Sequence, residues 1–242
     1  MEPAEYDLMD AAEERMWWYR ALHARVTDAL RRRPGPDGAV LDAGCGTGGL
    51  LRRLSALGRP LAGLDYHPAA AARAAAKSGV VAAAGDANRL PFADGAFAAL
   101  TSCDVLCHRA VDPATALTEF RRVLVPGGTL VLNLPAYQWL RSAHDVRVHN
   151  DRRFTARQGR ALLAAAGFAA VEARYWNALL LPLMVLQRKI LRSDEAAKSD
   201  VAPFPPWLDA TLHATTAIER AAGRAGLRYP AGGSILLVAT RP

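Results

Sequence analysis

The stretch VLDAGCGTGG, residues 40–49, decides how the rest of the chain reads. Val40 and Leu41 end an apolar run with the character of a buried strand, and Gly44, Gly46 and Gly48 follow at alternate positions. Without a Cβ, glycine lets a backbone turn through positive φ and pass close to a ligand. Leu50, Leu51, Leu54 and Leu57 then recur at helical spacing, so the turn opens a helix. Strand, glycine turn and helix in that order predict an α/β fold with a ligand at the carboxyl end of a parallel sheet.

Two kinds of nucleotide ligand suit such a turn. Gly44, Gly46 and Gly49 satisfy GxGxxG, the dinucleotide fingerprint, which is weak on its own. Asp42, two residues before the turn, points the other way: a carboxylate there repels an anionic pyrophosphate and suits a ligand bearing an ammonium group.

The downstream segments carry the distinction further. LAGLDYHPAA puts Asp65 at the end of a second strand, where a carboxylate can accept both hydroxyls of a ribose. AAAGDANRLPFADGAF, ALTSCDVLCHR, EFRRVLVPGGTLVLNLP and FTARQGRALLAAAGF follow in order. Together with the glycine turn they cover about residues 40–177 and resemble the class I S-adenosylmethionine-dependent methyltransferases, of the bacterial small-molecule type with a methyltransferase domain 11-like core.

That resemblance implies a Rossmann-like seven-stranded, mostly parallel sheet with an antiparallel last strand, helices on both faces, an N-terminal helix and a helical lid insertion. It implies S-adenosyl-L-methionine as cofactor, S-adenosyl-L-homocysteine as product, and no metal. Residues matching the family's cofactor motifs are Asp42, Gly44, Cys45, Gly46, Gly48, Asp65, Tyr66, Asp86 and Ala87, with Cys103, Asp104 and His108 after the fourth strand. One position departs from the family pattern: Phe97 is followed by Ala98 where an Asp is usual.

Length and composition agree with one domain. The chain has 242 residues, 51% of them hydrophobic. Its expected parts are an N-terminal helical lid (1–36), a Rossmann-like core (37–177), a helical insertion (178–232) containing APFPPW at 202–207, and a last strand (233–242). One N-terminal helix is expected over about 11–33, before the RRRPGPDG linker. Asp112 before Pro113 and Thr155 read as helix N-caps. The acidic N-terminus lacks the continuous apolar run of a secretory signal, and the longest apolar stretch, 178–186, contains Pro182 and is too short to span a bilayer. A cytoplasmic protein is expected.

Cys45, Cys103 and Cys107 form neither a disulfide framework nor a zinc pattern and read as reduced, partly buried thiols. The net charge of +7 raises nucleic acid as a partner, but the basic residues are dispersed, with Arg31 to Arg33 ending a helix where they complement its dipole. Solvated helix faces are preferred over a nucleic-acid surface.

Three regions can reach the acceptor. In MWWYR, adjacent aromatics cannot all face one core, so Trp18 and Tyr19 are substrate candidates. Trp17 can pin the helix, and Arg20 can meet the methionine carboxylate of the cofactor. Residues 136–155 hold Tyr137, His144, Asp145, His149, Asp151, Arg152 and Arg153. Either histidine can act as a general base, His144 first, with Asp145 orienting a ring; the same residues can equally form a polar network that holds a lid. Trp176 and Asn177 stand at the start of an apolar wall or of ordinary core.

The expected reaction is in-line transfer of the sulfonium methyl to an oxygen or nitrogen of a small molecule of specialised metabolism. Methylation of a peptide or RNA, and cofactor binding without transfer in a cyclase-like or regulatory protein, remain alternatives.

Overall fold

The computed structural model describes residues 3–189 and 204–242. Seven strands form one sheet: β1 (Val40–Ala43), β2 (Leu61–Asp65), β3 (Ala82–Ala84), β4 (Phe97–Cys103), β5 (Leu124–Pro135), β6 (Ala169–Trp176) and β7 (Ser234–Thr240). Their order is β3-β2-β1-β4-β5-β7-β6, and β7 alone runs antiparallel to its neighbours. The order reverses between β1 and β4, which opens a crevice at the carboxyl ends of those two strands.

Side-chain alternation builds a core on each face of the sheet. Leu41, Leu100, Leu130, Leu132 and Leu237 pack on one side with Phe120 and Leu163, from helices α5 (Pro113–Val123) and α7 (Ala156–Ala165). Val40, Ala99, Val131, Leu236 and Val238 face the other side, against Leu22, Val26 and Leu30 of α2 (Trp17–Arg32) and Leu50 and Leu54 of α3 (Gly49–Leu54). Each such fully buried leucine or valine contributes about 1.5–3 kcal/mol relative to an exposed one. Asp112 caps α5 by accepting from the Thr115 N–H, and Thr155 caps α7 in a reciprocal box with Gln158, so both N-caps fall where the sequence places them.

The N-terminal region differs from the single expected helix. It folds as α1 (Pro3–Ala12) and α2, separated by an irregular stretch that turns Glu13 inward. Glu13 accepts from Thr47 Oγ1 at 2.5 Å and pairs with Lys77, while the Trp17 N–H that starts α2 is capped by Asp209 Oδ1 at 2.7 Å. Tertiary partners, rather than local breakers, set this boundary. The late insertion supplies α8 (Leu181–Lys189) and α9 (Pro206–Arg224), and α9 packs on α2; Ala202 and Pro203 of the APFPPW segment lie outside the described residues. Ala98 is buried under the linker, and a Cβ on Gly38 would lie 3.2 Å from its own, so the small side chain suits the space.

Gly48 is the position of the glycine turn least able to carry a side chain. Its φ is 96°, and an added Cβ would lie 2.7 Å from the Ala74 Cα of α4 (Pro68–Ser78). Because the obstacle is backbone, Gly48→Ala should lower the unfolding free energy by about 2–3 kcal/mol, measured by urea denaturation.

Asp42 is only 2% exposed and pairs in register with Thr101 of β4. Burial pushes its carboxyl up to about 7, against the Thr101 hydrogen bond. A folded-state value above the unfolded one gives stability that is full below the unfolded pKa of about 4 and is lost as pH rises through about 7. His23 and His108, both pushed down by burial to about 4, act oppositely, chiefly below their unfolded value near 6.5 and so only weakly between about pH 7 and about pH 8. The unfolding free energy from urea denaturation should therefore rise on going from about pH 8 to about pH 7, by on the order of a few tenths of a kcal/mol per buried carboxyl. Asp42→Asn should narrow that difference; an unchanged difference would show that Asp42 does not titrate there.

Candidate active site

The glycine turn is tied to the neighbouring strand before it meets any ligand. The Gly44 and Cys45 N–H groups both donate to Leu64 O, at 2.7 and 2.9 Å. On its other side the turn touches Val105: a Cβ on Gly44, where φ is 86°, would lie 2.1 Å from Val105 Cγ2. Asp42 sits beneath the turn within the sheet and accepts from Thr101 Oγ1 at 2.7 Å.

Asp65 closes β2 and is only 6% exposed. Its Oδ2 accepts from the Gly46 N–H at 2.9 Å, while Oδ1 accepts from the His67 N–H at 2.9 Å and from the Tyr6 hydroxyl at 3.2 Å. Burial pushes this carboxyl up, while its hydrogen bonds pull the other way. Tyr66, by contrast, points to solvent with 74% exposure. At the end of β3, Asp86 Oδ1 is engaged by the Asn88 N–H and amide, at 2.8 and 2.9 Å, and Ala87 is buried.

Helix α1 lies across this region through contacts that no local sequence pattern marks. Besides the Tyr6–Asp65 bond, Met9 covers Gly46, where a Cβ would come within 2.9 Å of Met9 Sδ. Glu5 pairs with Arg147 of α6 (Ala143–Arg147), joining α1 to the segment after β5. The signal available in the sequence is an acidic helix with a tyrosine and a methionine at i and i+3, which is common on ordinary helices.

The aromatic cluster divides as its spacing demands. Trp17 is buried, whereas Trp18 and Tyr19 are half-buried and meet edge to face at 5.1 Å. Trp18 also lies 6.0 Å from Trp176. Arg20 donates to Asp209 Oδ2 at 3.4 Å and meets His213 Nδ1 at 2.9 Å, so its guanidinium serves the α2–α9 contact rather than a cofactor carboxylate. The end of β6 is fixed from the same helix: Glu219 accepts from the N–H groups of Asn177, Ala178 and Leu179 and pairs with Arg25. Arg25 in turn lies 4.6 Å over the Trp176 ring.

After β5, Tyr137 adopts φ 55° and stacks on Tyr175 at 5.4 Å and Trp139 at 5.6 Å. Asp145, expected beside a histidine ring, instead receives both Nε and Nη2 of Arg153, at 3.0 and 2.9 Å, and the Ser142 N–H at 2.8 Å. Burial works to raise its carboxyl, but the Arg153 charge and hydrogen bonds outweigh burial and hold it low. Asp145 thus anchors the segment. His144 is half-buried on α6, and His149 is exposed in a left-handed turn with φ 58°. Burial pushes His108 down to about 4, with the Val148 and His149 backbone alongside, so the ring is neutral at physiological pH. The three cysteines are unpaired, and burial pushes each thiol up.

The donor set fits S-adenosylmethionine. Asp65 already accepts a hydroxyl from Tyr6, the same kind of donor a ribose offers, and the turn beside it has room for backbone only. Asp65, the turn 44–48, Asp86 and Ala87 lie along the carboxyl ends of β1, β2 and β3.

Residues 41–132 match the family model of a methyltransferase domain. A demethylmenaquinone methyltransferase of Beutenbergia cavernae is 39% identical over 128 residues, 52% of this chain and 50% of the relative. A probable S-adenosylmethionine-dependent methyltransferase of Mycolicibacterium smegmatis is 32% identical over 161 residues, 65% of this chain and 61% of the relative. Among solved structures, Haemonchus contortus phosphoethanolamine N-methyltransferase 2 in complex with S-adenosyl-L-methionine shares the fold, with a TM-score of 0.58 and 19% identity over 90% of this chain and 52% of that one. The chain spans about half the length of the curated relatives it matches. The glycine turn and strand β4 fall within the matched span, and the chain is similar over that span to S-adenosylmethionine-dependent methyltransferases and shares their fold.

Proposed function

We propose that the protein transfers a methyl group from S-adenosylmethionine to an oxygen or nitrogen nucleophile of a small molecule, in the manner of an enzyme of specialised metabolism. The observation that carries this reading is the covered crevice: Asp65 and the glycine turn lie beneath α1, and Tyr19, Asp104 and Trp176 stand near the ends of the adjoining elements. A cover of that kind suits a small acceptor better than a polymer. The dispersed positive charge supports the same choice, since Arg25, Arg122, Arg153 and Arg220 are each paired with a carboxylate. The matched demethylmenaquinone methyltransferase likewise bears the name of a small-molecule enzyme.

In this reading Asp65 would hold the ribose hydroxyls, Asp86 and Ala87 the adenine edge, and the backbone of Gly44, Cys45, Gly46 and Gly48 the length of the cofactor between. Bound there, S-adenosylmethionine supplies a methyl group activated by its sulfonium sulfur. The chain's own part is alignment and exclusion of water, which α1 and α6 provide through the Glu5–Arg147 pair. Trp18, Tyr19, Tyr137, Trp176 and Asn177 would shape the acceptor end. His144, on α6, would take the proton of an acceptor hydroxyl or amine, a task suited to an imidazole.

The experiment is a calorimetric titration of S-adenosylhomocysteine and S-adenosylmethionine into the purified protein, with NAD as control. Micromolar binding of both and none of NAD is expected, and Asp65→Ala should weaken it about a hundredfold through loss of charge-assisted hydrogen bonds. NAD binding in their place would restore the dinucleotide reading. Once an acceptor is found, His144→Ala should lower turnover by about 10²–10⁴ while leaving S-adenosylhomocysteine affinity within about threefold; unchanged turnover would remove His144 from the chemistry.

A further inference from the structure

Asp104 is the residue at the crevice whose surroundings ask for a partner from outside the chain. It follows β4 directly, in a left-handed conformation with φ 54° that is uncommon for a non-glycine residue. Its N–H donates to Asn133 O at 2.9 Å. The side chain is equally constrained: Asn133 Nδ2 donates to both Asp104 oxygens, at 3.0 Å each. Asn133 is itself 0% exposed, and its Oδ1 accepts from the Trp176 indole N–H at 2.8 Å. That last bond decides which way the amide faces. With the amide turned over, its oxygen would meet the carboxylate and its NH₂ would meet the indole N–H, two repulsive contacts in place of two hydrogen bonds.

Asn133 and Trp176 therefore aim a donor at Asp104, but both are neutral. Among the described residues no Lys, Arg or His forms an ion pair with Asp104. Arg153, whose charge reaches Asp104, is bound to Asp145 through two hydrogen bonds, so Arg153 and Asp145 act on Asp104 as an opposed pair. The other ionisable groups facing it are the Tyr19 hydroxyl on α2 and the neighbouring thiols of Cys103 and Cys107. Burial pushes the Asp104 carboxyl up to about 7, the mark of a carboxylate short of compensating charge. Next along the chain, Val105 packs on Gly44, which sets Asp104 beside the glycine turn. Trp18 and Tyr19 add aromatic rings at the same end, and ring faces attract cations.

We propose that Asp104, oriented through Asn133 and Trp176, forms the anionic wall of a cation subsite beside the transferring methyl position, and that the acceptor it selects carries an ammonium group. The proposal rests on the methyltransferase reading above and narrows its acceptor from any oxygen or nitrogen nucleophile to an amine, which binds as the ammonium, gives one proton to His144, and attacks the methyl carbon through the freed lone pair as the carbon–sulfur bond breaks and S-adenosylhomocysteine leaves. Asp104 and the aromatic pair bind the cation; Asn133 and Trp176 are positioning residues.

The test uses sinefungin, an S-adenosylhomocysteine analogue that carries an amine where the methyl group stands in the cofactor. Both ligands are titrated by calorimetry into wild type, Asp104→Asn and Trp176→Phe. At about pH 8, sinefungin should bind wild type about tenfold or more tightly than S-adenosylhomocysteine, the ratio expected of a partly buried charge pair. In Asp104→Asn, which keeps the shape and loses the charge, the ratio should fall to within about twofold, with S-adenosylhomocysteine affinity within about threefold as the control for a folded pocket. Trp176→Phe should reduce the ratio in part. In wild type the ratio should decline as pH falls through about 7, where Asp104 takes up its proton, and in Asp104→Asn it should be flat. Failure of S-adenosylhomocysteine to bind wild type would overturn the functional reading and this inference together. Normal binding with a ratio near one, or a ratio unaltered in Asp104→Asn, would overturn the cation subsite alone. The wild-type pH dependence decides the matter independently should the variant not fold.

Discussion

The constraint on which the rest depends is the passage of backbone between β1 and α3 in a space that admits no side chains. On one side Leu64 O takes two N–H groups from the turn; on others Val105 and Ala74 stand where Cβ atoms of Gly44 and Gly48 would go. The turn is thus fastened to β2, to the loop after β4 and to α4 at once. Moving any of those elements would move the others, and the crevice at the reversal of strand order inherits its shape from this knot.

Around the knot the chain gathers carboxylates and buries them. Asp42, Asp65, Asp104 and Glu13 come from different elements, and burial raises the carboxyl of each. Hydrogen bonds from Thr101, Gly46, Asn133 and Thr47 offset part of that cost, but apart from Lys77 on Glu13 the donors are neutral. A region of low dielectric with surplus negative character destabilises the empty fold slightly and favours a ligand bearing positive charge. Stability and binding therefore pull in opposite directions at this end of the sheet.

What the sequence disclosed follows the range of the interactions involved. The turn, the caps at Asp112 and Thr155 and the last strand Ser234–Thr240 are written in residues close together in the chain, and each was legible. The break after Glu13, the covering of Asp65 by Tyr6, the diversion of Arg20 to Asp209 and the ties of Arg25 and Asn177 to Glu219 join residues distant in sequence. No local pattern marks such pairs. Asp145 and Arg153 illustrate the ambiguity well: a dense group of titratable residues reads the same whether it does chemistry or holds a lid, and only geometry shows the carboxylate committed to the guanidinium.

Helix α1 brings a further consequence, because ion pairs hold it down where a continuous apolar face would otherwise do so. Asp7 meets Arg73, Asp10 meets Lys77 and Glu5 meets Arg147, and the first of these pairs is largely open to solvent. Exposed pairs weaken as counterions accumulate, while the sheet beneath, built on apolar contact, does not. Ionic strength thus acts on the cover separately from the fold. Salt therefore weakens the Asp7–Arg73 contact of the helix over Asp65 more than the half-buried pairs beside it or the apolar contacts of the sheet.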